Sequence, residues 1–213
     1  MIFYSPTDGD VHTGKVEYRP RTCFLMTKLG PRVPDIVTVI RTALTELLAE
    51  HGIAMVDADA VVTGRDFLTK IWHMLLSVPL GIAVIYKGMP PGTLANIFYE
   101  IGLMQAYGKE TLLIKTEGTK VPSDFVRTEW IKFDADFTTQ MEKYLNTFFE
   151  QADHYETVAD QLERNPLLSI DYLRRAYLIS ADEGCRDKTR RILDGAGLVG
   201  RAKNSVEMLL ADF

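Results

Sequence analysis

Apolar residues along this chain change their period several times, and the changes divide it into elements. Residues 1–21 are polar and turn-rich, with Pro6, Gly9, Gly14 and Pro20, and read as an N-terminal arm. Thr22–Thr27 is a short apolar run of strand length. From Pro34 to His51, Ile36, Val37, Ile40, Ala43, Leu44, Leu47 and Leu48 recur at helical spacing, and Gly52 ends the helix. Ile53–Val56 predicts a second strand, closed by Asp57 and Asp59. Arg65–Leu76 predicts a helix with Phe67, Leu68, Ile71, Trp72 and Leu75 on one face. Leu80–Tyr86 is apolar without alternation, as in a strand buried on both faces. Thr93–Tyr107, stopped by Gly108, predicts a third helix, Glu110–Lys115 and Glu129–Phe133 two more strands, and Thr138–Ala152 a fourth helix. Strands alternating with helices through short connections predict an α/β domain with a mainly parallel sheet over 22–152. Residues 153–213 carry only helical patterning, broken at Asn165-Pro166 and at Gly195, Gly197 and Gly200.

Composition narrows the class. With 46% hydrophobic and 25% charged residues in a chain of 213, wholesale disorder is excluded. A net charge of -5 argues against direct nucleic-acid binding through phosphate neutralisation. The two cysteines, Cys23 and Cys185, are far apart in sequence and build neither a disulfide framework nor a cysteine zinc site. Neither a signal-peptide pattern nor an apolar run of membrane-spanning length is read, so the expectation is a cytoplasmic protein with no membrane partner. The dipeptides Arg174-Arg175 and Arg190-Arg191 read as solvated helix faces, with docking of an acidic partner or a neighbouring subunit as the sharper alternative.

Several chemistries lack their residues. His12, His51, His73 and His154 form no metal-ligand spacing, so no metal is expected. No nucleophile elbow and no dinucleotide-binding glycine fingerprint is present. Cys23, inside an apolar strand, reads as a packing residue.

The informative stretch is Lys87–Lys115, in which a buried strand enters a Gly/Pro-rich loop, a helix, Gly108-Lys109 and another buried strand. On the helix, Leu94, Ile97, Phe98, Ile101 and Gln105 share one face, and Asn96, Glu100, Leu103 and Tyr107 form the neighbouring stripe. Glu100 therefore stands at the edge of the core. Partial burial there raises a carboxyl pKa, whereas a helix dipole and donor groups hold it ionised, and the pattern leaves both open. A fixed carboxylate suits cleavage of an N-glycosidic bond, which passes through an oxocarbenium-like state. The plainer alternative is a structural Glu bonded to a nearby Lys, Arg or backbone amide.

Residues 22–133 resemble the nucleoside 2-deoxyribosyltransferase-like group, including the TIR-like nucleotide-binding proteins of prokaryotes. The group's first strand commonly reads CFVMMPF, and here Cys23–Leu29 reads CFLMTKL. Its signature resembles NVFYELGLAHALGKPVILI, and residues 96–114 read NIFYEIGLMQAYGKETLLI. Val121-Pro122-Ser123-Asp124-Phe125 is similar to its Val-Pro-Phe-Asp segment. The resemblance implies a flavodoxin-like or TIR-like five-stranded sheet with a C-terminal helical extension outside it. It makes Glu100 the catalytic carboxylate, places Asn96 near the ribose or phosphate, and sets the Thr27–Leu29 loop against the base. It also implies NAD or a related nucleotide as substrate or ligand, no required cofactor, a homo-oligomer, and a role in antiphage signalling.

The chain departs from the group's pattern at two places. The aspartate that follows the third strand in the group is absent from Tyr86–Gly92, and Lys28 replaces the proline of the first motif. Cleavage of the nicotinamide–ribose bond of NAD, or of a related nucleotide, is therefore expected over deoxyribosyl transfer. In that reading Asn96, Asp57 and Tyr86 position the ribose, and Thr27 and Lys28 border the base or phosphates. Lys28 and Lys87 suit phosphates, although exposed lysines are commonly just solvated. Asp57 reads equally as a turn residue or helix cap. The rival from another class is a non-catalytic nucleotide sensor or scaffold, which the missing loop aspartate favours.

Overall fold

A computed structural model describes residues 4, 9, 10, 16–30, 32–58, 67–121, 125, 129–162, 164–197 and 200. The elements run β1 (Thr22–Met26), α1 (Asp35–Glu50), β2 (Ala54–Asp57), α2 (Phe67–Ser77), β3 (Leu80–Ile85), α3 (Pro91–Ala106), β4 (Glu110–Lys115), β5 (Glu129–Lys132), α4 (Phe137–Gln161), α5 (Pro166–Ser180) and α6 (Glu183–Gly195). Asp59, the expected helix start at Arg65, and Pro122–Asp124 lie outside the described residues.

All five strands pair in parallel, in the order β2-β1-β3-β4-β5. This is the flavodoxin-like order, in which the chain reverses its direction of sheet growth between β1 and β3. Every residue of β1 and β3 is buried, as a continuous apolar run requires when helices cover both faces. Phe24 and Met26 of β1, Ala83 and Ile85 of β3 and Leu113 of β4 join one core cluster with Ile71, Met74 and Leu75 of α2 and Ile97, Ile101 and Met104 of α3. α2 and α3 thus share a face. On the other face, Tyr144 of α4 lies near Cys23 and Arg41 of α1 bonds Asp57. At Gly81 α3 packs directly on the sheet: a Cβ there would overlap the Met104 sulfur and the Met26 methyl, both buried.

The chain divides into two compact units, 22–145 and a second made of 1–21 with 146–213. α4 is longer than the expected Thr138–Ala152, because Phe148, Ala152, Tyr155 and Ala159 carry its inward stripe on and no proline intervenes before Pro166. In the second unit, Arg21 N–H donates to the Leu178 carbonyl (2.8 Å) and Arg174 Nη1 to the Tyr18 hydroxyl (2.7 Å), so residues 16–21 pack against α5.

The reading of Arg174-Arg175 as a solvated face is corrected. Arg174 is 5% exposed, and both arginines bond Asp171, one turn back on α5. Burial alone would raise the Asp171 carboxyl, but the Arg174 and Arg175 guanidiniums are among the charges that outweigh it and hold it below the usual range. Arg190 and Arg191 are exposed, and among the described residues Arg190 pairs with Asp187 alone. Among the described residues, no helix is long and apolar enough to cross a membrane.

Candidate functional site at the carboxyl edge of the sheet

In parallel sheets, ligands bind outside the carboxyl ends of the strands, where the strand order reverses. That place lies between β1 and β3. Thr27 and Lys28 follow β1, Tyr86 and Lys87 follow β3, and α3 starts at the same edge with Pro90 before it and Pro91 at its first position. Proline there is pre-set for helix entry and gives up an N–H that would otherwise be unpaired.

The register shows that this edge is stepped. Leu25 pairs with Asp57 on one side and Ile82 on the other. Tyr86 therefore stands about four residues, roughly 13 Å, beyond the level of Asp57. Asp57 is bonded to Arg41 of α1 at 2.7 Å, on the face opposite α3. Asp57 and Glu100 are thus on opposite faces of the sheet and are not brought together. Arg41 was not visible as a partner, because the ion pair joins two separate elements.

The other positions differ in character. The Thr27 side chain, just after β1, is buried, and its hydroxyl has no hydrogen-bond partner among the described residues. Lys28 Nζ donates to the Arg32 carbonyl (3.1 Å), closing the loop that follows. Tyr86 is buried in the α2–α3 core cluster, and burial raises its phenol above the ordinary value. Lys87 N–H donates to Thr116 Oγ1 (3.1 Å), which meets Thr119 Oγ1 (3.0 Å), and the lysine stem lies over Gly118. Gly118 has φ +71°, so a side chain there would be strained as well as crowded by Lys87. This turn after β4 was not singled out by the sequence pattern, although its Thr-Glu-Gly-Thr composition is that of a turn.

Glu100 lies about nine residues into α3, roughly 13 Å from its start. Residues seven apart on a helix differ by only about 20°, so Glu100 shares a stripe with Tyr107. The Tyr107 hydroxyl accepts from Trp72 Nε1 of α2 at 3.0 Å, which shows that this stripe looks toward α2. Glu100 is half-buried there, and no described residue gives it an ion pair or hydrogen bond. Burial alone pushes its carboxyl up to about 7. Of the two electrostatic outcomes left open by the pattern, burial is the one found. The expected lysine, arginine or amide partner of a structural Glu is absent among the described residues. Asn96, one turn earlier, is exposed, and so is the Tyr99 ring.

The chain matches no protein-family model and no curated protein. What the site can do therefore rests on its chemistry. An acid that changes charge near neutral pH, about 13 Å along α3 from the carboxyl edge of the sheet, can stabilise a cation or deliver a proton to a ligand that reaches it.

Proposed function

We propose that the α/β unit is a nucleotide N-glycosidase that cleaves the nicotinamide–ribose bond of NAD or of a related nucleotide. The observation that carries this reading is the half-buried carboxyl of Glu100, without an ion pair or hydrogen bond among the described residues, on the helix that starts at the sheet's switch point. The C1′–N bond breaks, its electron pair leaves with nicotinamide as a neutral molecule, and the ribosyl cation is held by ionised Glu100. Water adds at C1′ and its proton is lost to solvent, so atoms and charge balance. Asn96 orients the ribose hydroxyls, and Thr27 and Lys28 border the base or phosphates. Tyr86 supports the α3 entry from the core, and Asp57 acts through its bond to Arg41.

A second reading, a non-catalytic nucleotide sensor, draws on the engagement of Asp57 by Arg41, which occupies one of the two acids expected at the ribose. A chromatographic time course with NAD, NADP and a nucleoside panel tests both. Base release by the wild type that is lost in Glu100→Gln supports the glycosidase. No turnover at high protein concentration, with a nucleotide-dependent rise in Tm, supports the sensor. Turnover of uncharged nucleosides instead of NAD would indicate deoxyribosyl transfer.

A further inference from the structure

The helical unit holds a hollow of its own, remote in sequence from the residues discussed above. A cavity of about 330 Å³ is lined by Ala159 and Asp160 of α4, Ser169 of α5, and Lys188, Arg191 and Ile192 of α6. A second hollow of about 300 Å³ shares Arg191 and Ile192 as its wall. Each is at the lower end of the range for small-molecule sites.

The ionic groups lining the first cavity are unequally satisfied. Lys188 is neutralised from behind by Glu156 at 2.7 Å, a residue outside the lining. Asp160 approaches Lys188 only to 3.7 Å and accepts no hydrogen bond from any described residue. Arg191 donates one bond, from Nε to the Asp187 carbonyl at 3.3 Å, which leaves its two Nη groups without a partner among the described residues. Lys188 and Arg191 are three apart on α6, so they stand side by side, about one turn from each other. An exposed carboxylate, paired with Lys188 only at 3.7 Å, and an exposed guanidinium fork therefore line one small, open hollow. Between them the wall is apolar at Ala159 and Ile192. Ser169, fully buried, spends its hydroxyl proton on the Ala159 carbonyl and keeps its lone pairs as acceptors.

We propose that this cavity binds a small zwitterion of the α-amino-acid type. Its ammonium pairs with Asp160, its carboxylate is held by the Arg191 fork, and its side chain lies against Ala159 and Ile192. A simple anion could pair with Arg191 but would face Asp160, and a simple cation could pair with Asp160 but would face Lys188 and Arg191. A ligand carrying both charges can pair with Asp160 and Arg191 at once, and a guanidinium suits a carboxylate because it offers two parallel donors.

The test uses the full chain, by thermal shift and titration calorimetry, with the twenty free α-amino acids. Each is accompanied by its analogue lacking the amine and its analogue lacking the carboxylate. The expected result is that at least one amino acid binds and raises Tm while both of its single-charge analogues do not. Arg191→Gln and Asp160→Asn should each weaken that binding roughly tenfold or more, without changing the fold by circular dichroism. Binding by none of the twenty overturns the proposal. So does equal binding of the carboxylate-only analogue, which would make this a plain anion site. Binding unchanged in both variants also overturns it, by placing the ligand elsewhere.

Discussion

Each of the two units buries a carboxylic acid, and the two acids are treated in opposite ways. Asp171 of the helical unit is nearly inaccessible, yet two guanidiniums and the Tyr18–Arg174 bond surround it and its carboxyl is held low. Glu100 of the α/β unit is less deeply buried, no cation meets it among the described residues, and its carboxyl rises to about 7. Burial is common to both, so burial alone does not set the charge of an acid. The partners decide it. An acid given its full set of partners contributes to structure. One that is desolvated without compensation lowers stability at neutral pH, and such acids collect where chemistry needs them.

The sharpest way to break the comparison is to remove the saturated acid. Asp171→Ala takes from the buried Arg174 guanidinium the carboxylate that it bonds. The expected loss is about 3–5 kcal/mol, as for other buried pairs deprived of one member, measured by denaturant unfolding. If the variant unfolds within 1 kcal/mol of the wild type, the network is ornamental and the contrast with Glu100 fails. Because the Asp171 carboxyl is held low, its contribution is present above the ordinary carboxylate range and disappears as pH falls through the lowered value.

Glu100→Gln comes next, read as activity. Removal of a charge that stabilises a transition state costs about 10²–10³-fold in kcat, and that is the loss expected for NAD cleavage. The pH profile of the wild type then separates two chemistries. A carboxylate that stabilises the ribosyl cation must be ionised, and nicotinamide leaves without needing a proton. The rate should therefore rise with pH through about 7 and level off above it. A rate that instead falls through the same range would make Glu100 a proton donor to a neutral base and would favour nucleoside substrates.

The same substitution read as stability should give a smaller effect of opposite sign. The folded Glu100 carboxyl sits at about 7 against an ordinary value of 4.5. Between those values the folded chain holds a proton that the unfolded chain has released, so stability falls as pH rises through that window. Above it the charged, half-buried group carries a persistent cost, on the order of 2 kcal/mol after allowance for its exposure to solvent. Glu100→Gln should thus stabilise the protein at pH 8 and change little at pH 4.5, by denaturant midpoints at the two values. Equal midpoints at both would mean that the carboxyl is solvated and its desolvation illusory.

How far this contrast could be read in advance depends on the range of the interactions. The alternation of periods located all five strands: β1 and β3, buried on both faces, are apolar throughout, and each helix shows its stripe locally. The order β2-β1-β3-β4-β5 was not legible in the periodicity, since pairing of β1 with β3 skips over three intervening elements, and only the resemblance pointed to a flavodoxin-like sheet. The edge position of Glu100 followed from helical geometry alone, while the absence of a partner depended on what α2 brings near it. Arg174-Arg175 and Arg190-Arg191 look alike along the chain. Asp171 stands three and four residues before the first pair and was a visible local signal. Only the packing of residues 16–21 against α5, however, tells a buried network from a wet one like Arg190–Asp187. The Arg41–Asp57 bond had no local signal at all.

The mildest test concerns acids that are exposed, where neither burial nor cations dominate. Asp182 precedes α6 and its Oδ1 accepts from Gly184 N–H at 2.9 Å, satisfying a donor that the first helical turn leaves open. Its negative charge also lies at the positive end of the helix dipole. Asp187, five residues on, makes an exposed pair with Arg190 at 3.0 Å. Contact distance alone would rate the two nearly equally, but their physics differs. The cap replaces water at a backbone group fixed in direction, whereas the surface pair confines two long, solvated side chains for little Coulomb gain. Asp182→Ala should cost about 1 kcal/mol and Asp187→Ala only a few tenths, by matched denaturant titrations. Equal losses would show that α6 responds to net charge and not to the geometry of its cap. The ordering among carboxylates, from Asp171 to Asp182 to Asp187, would then no longer follow from their partners.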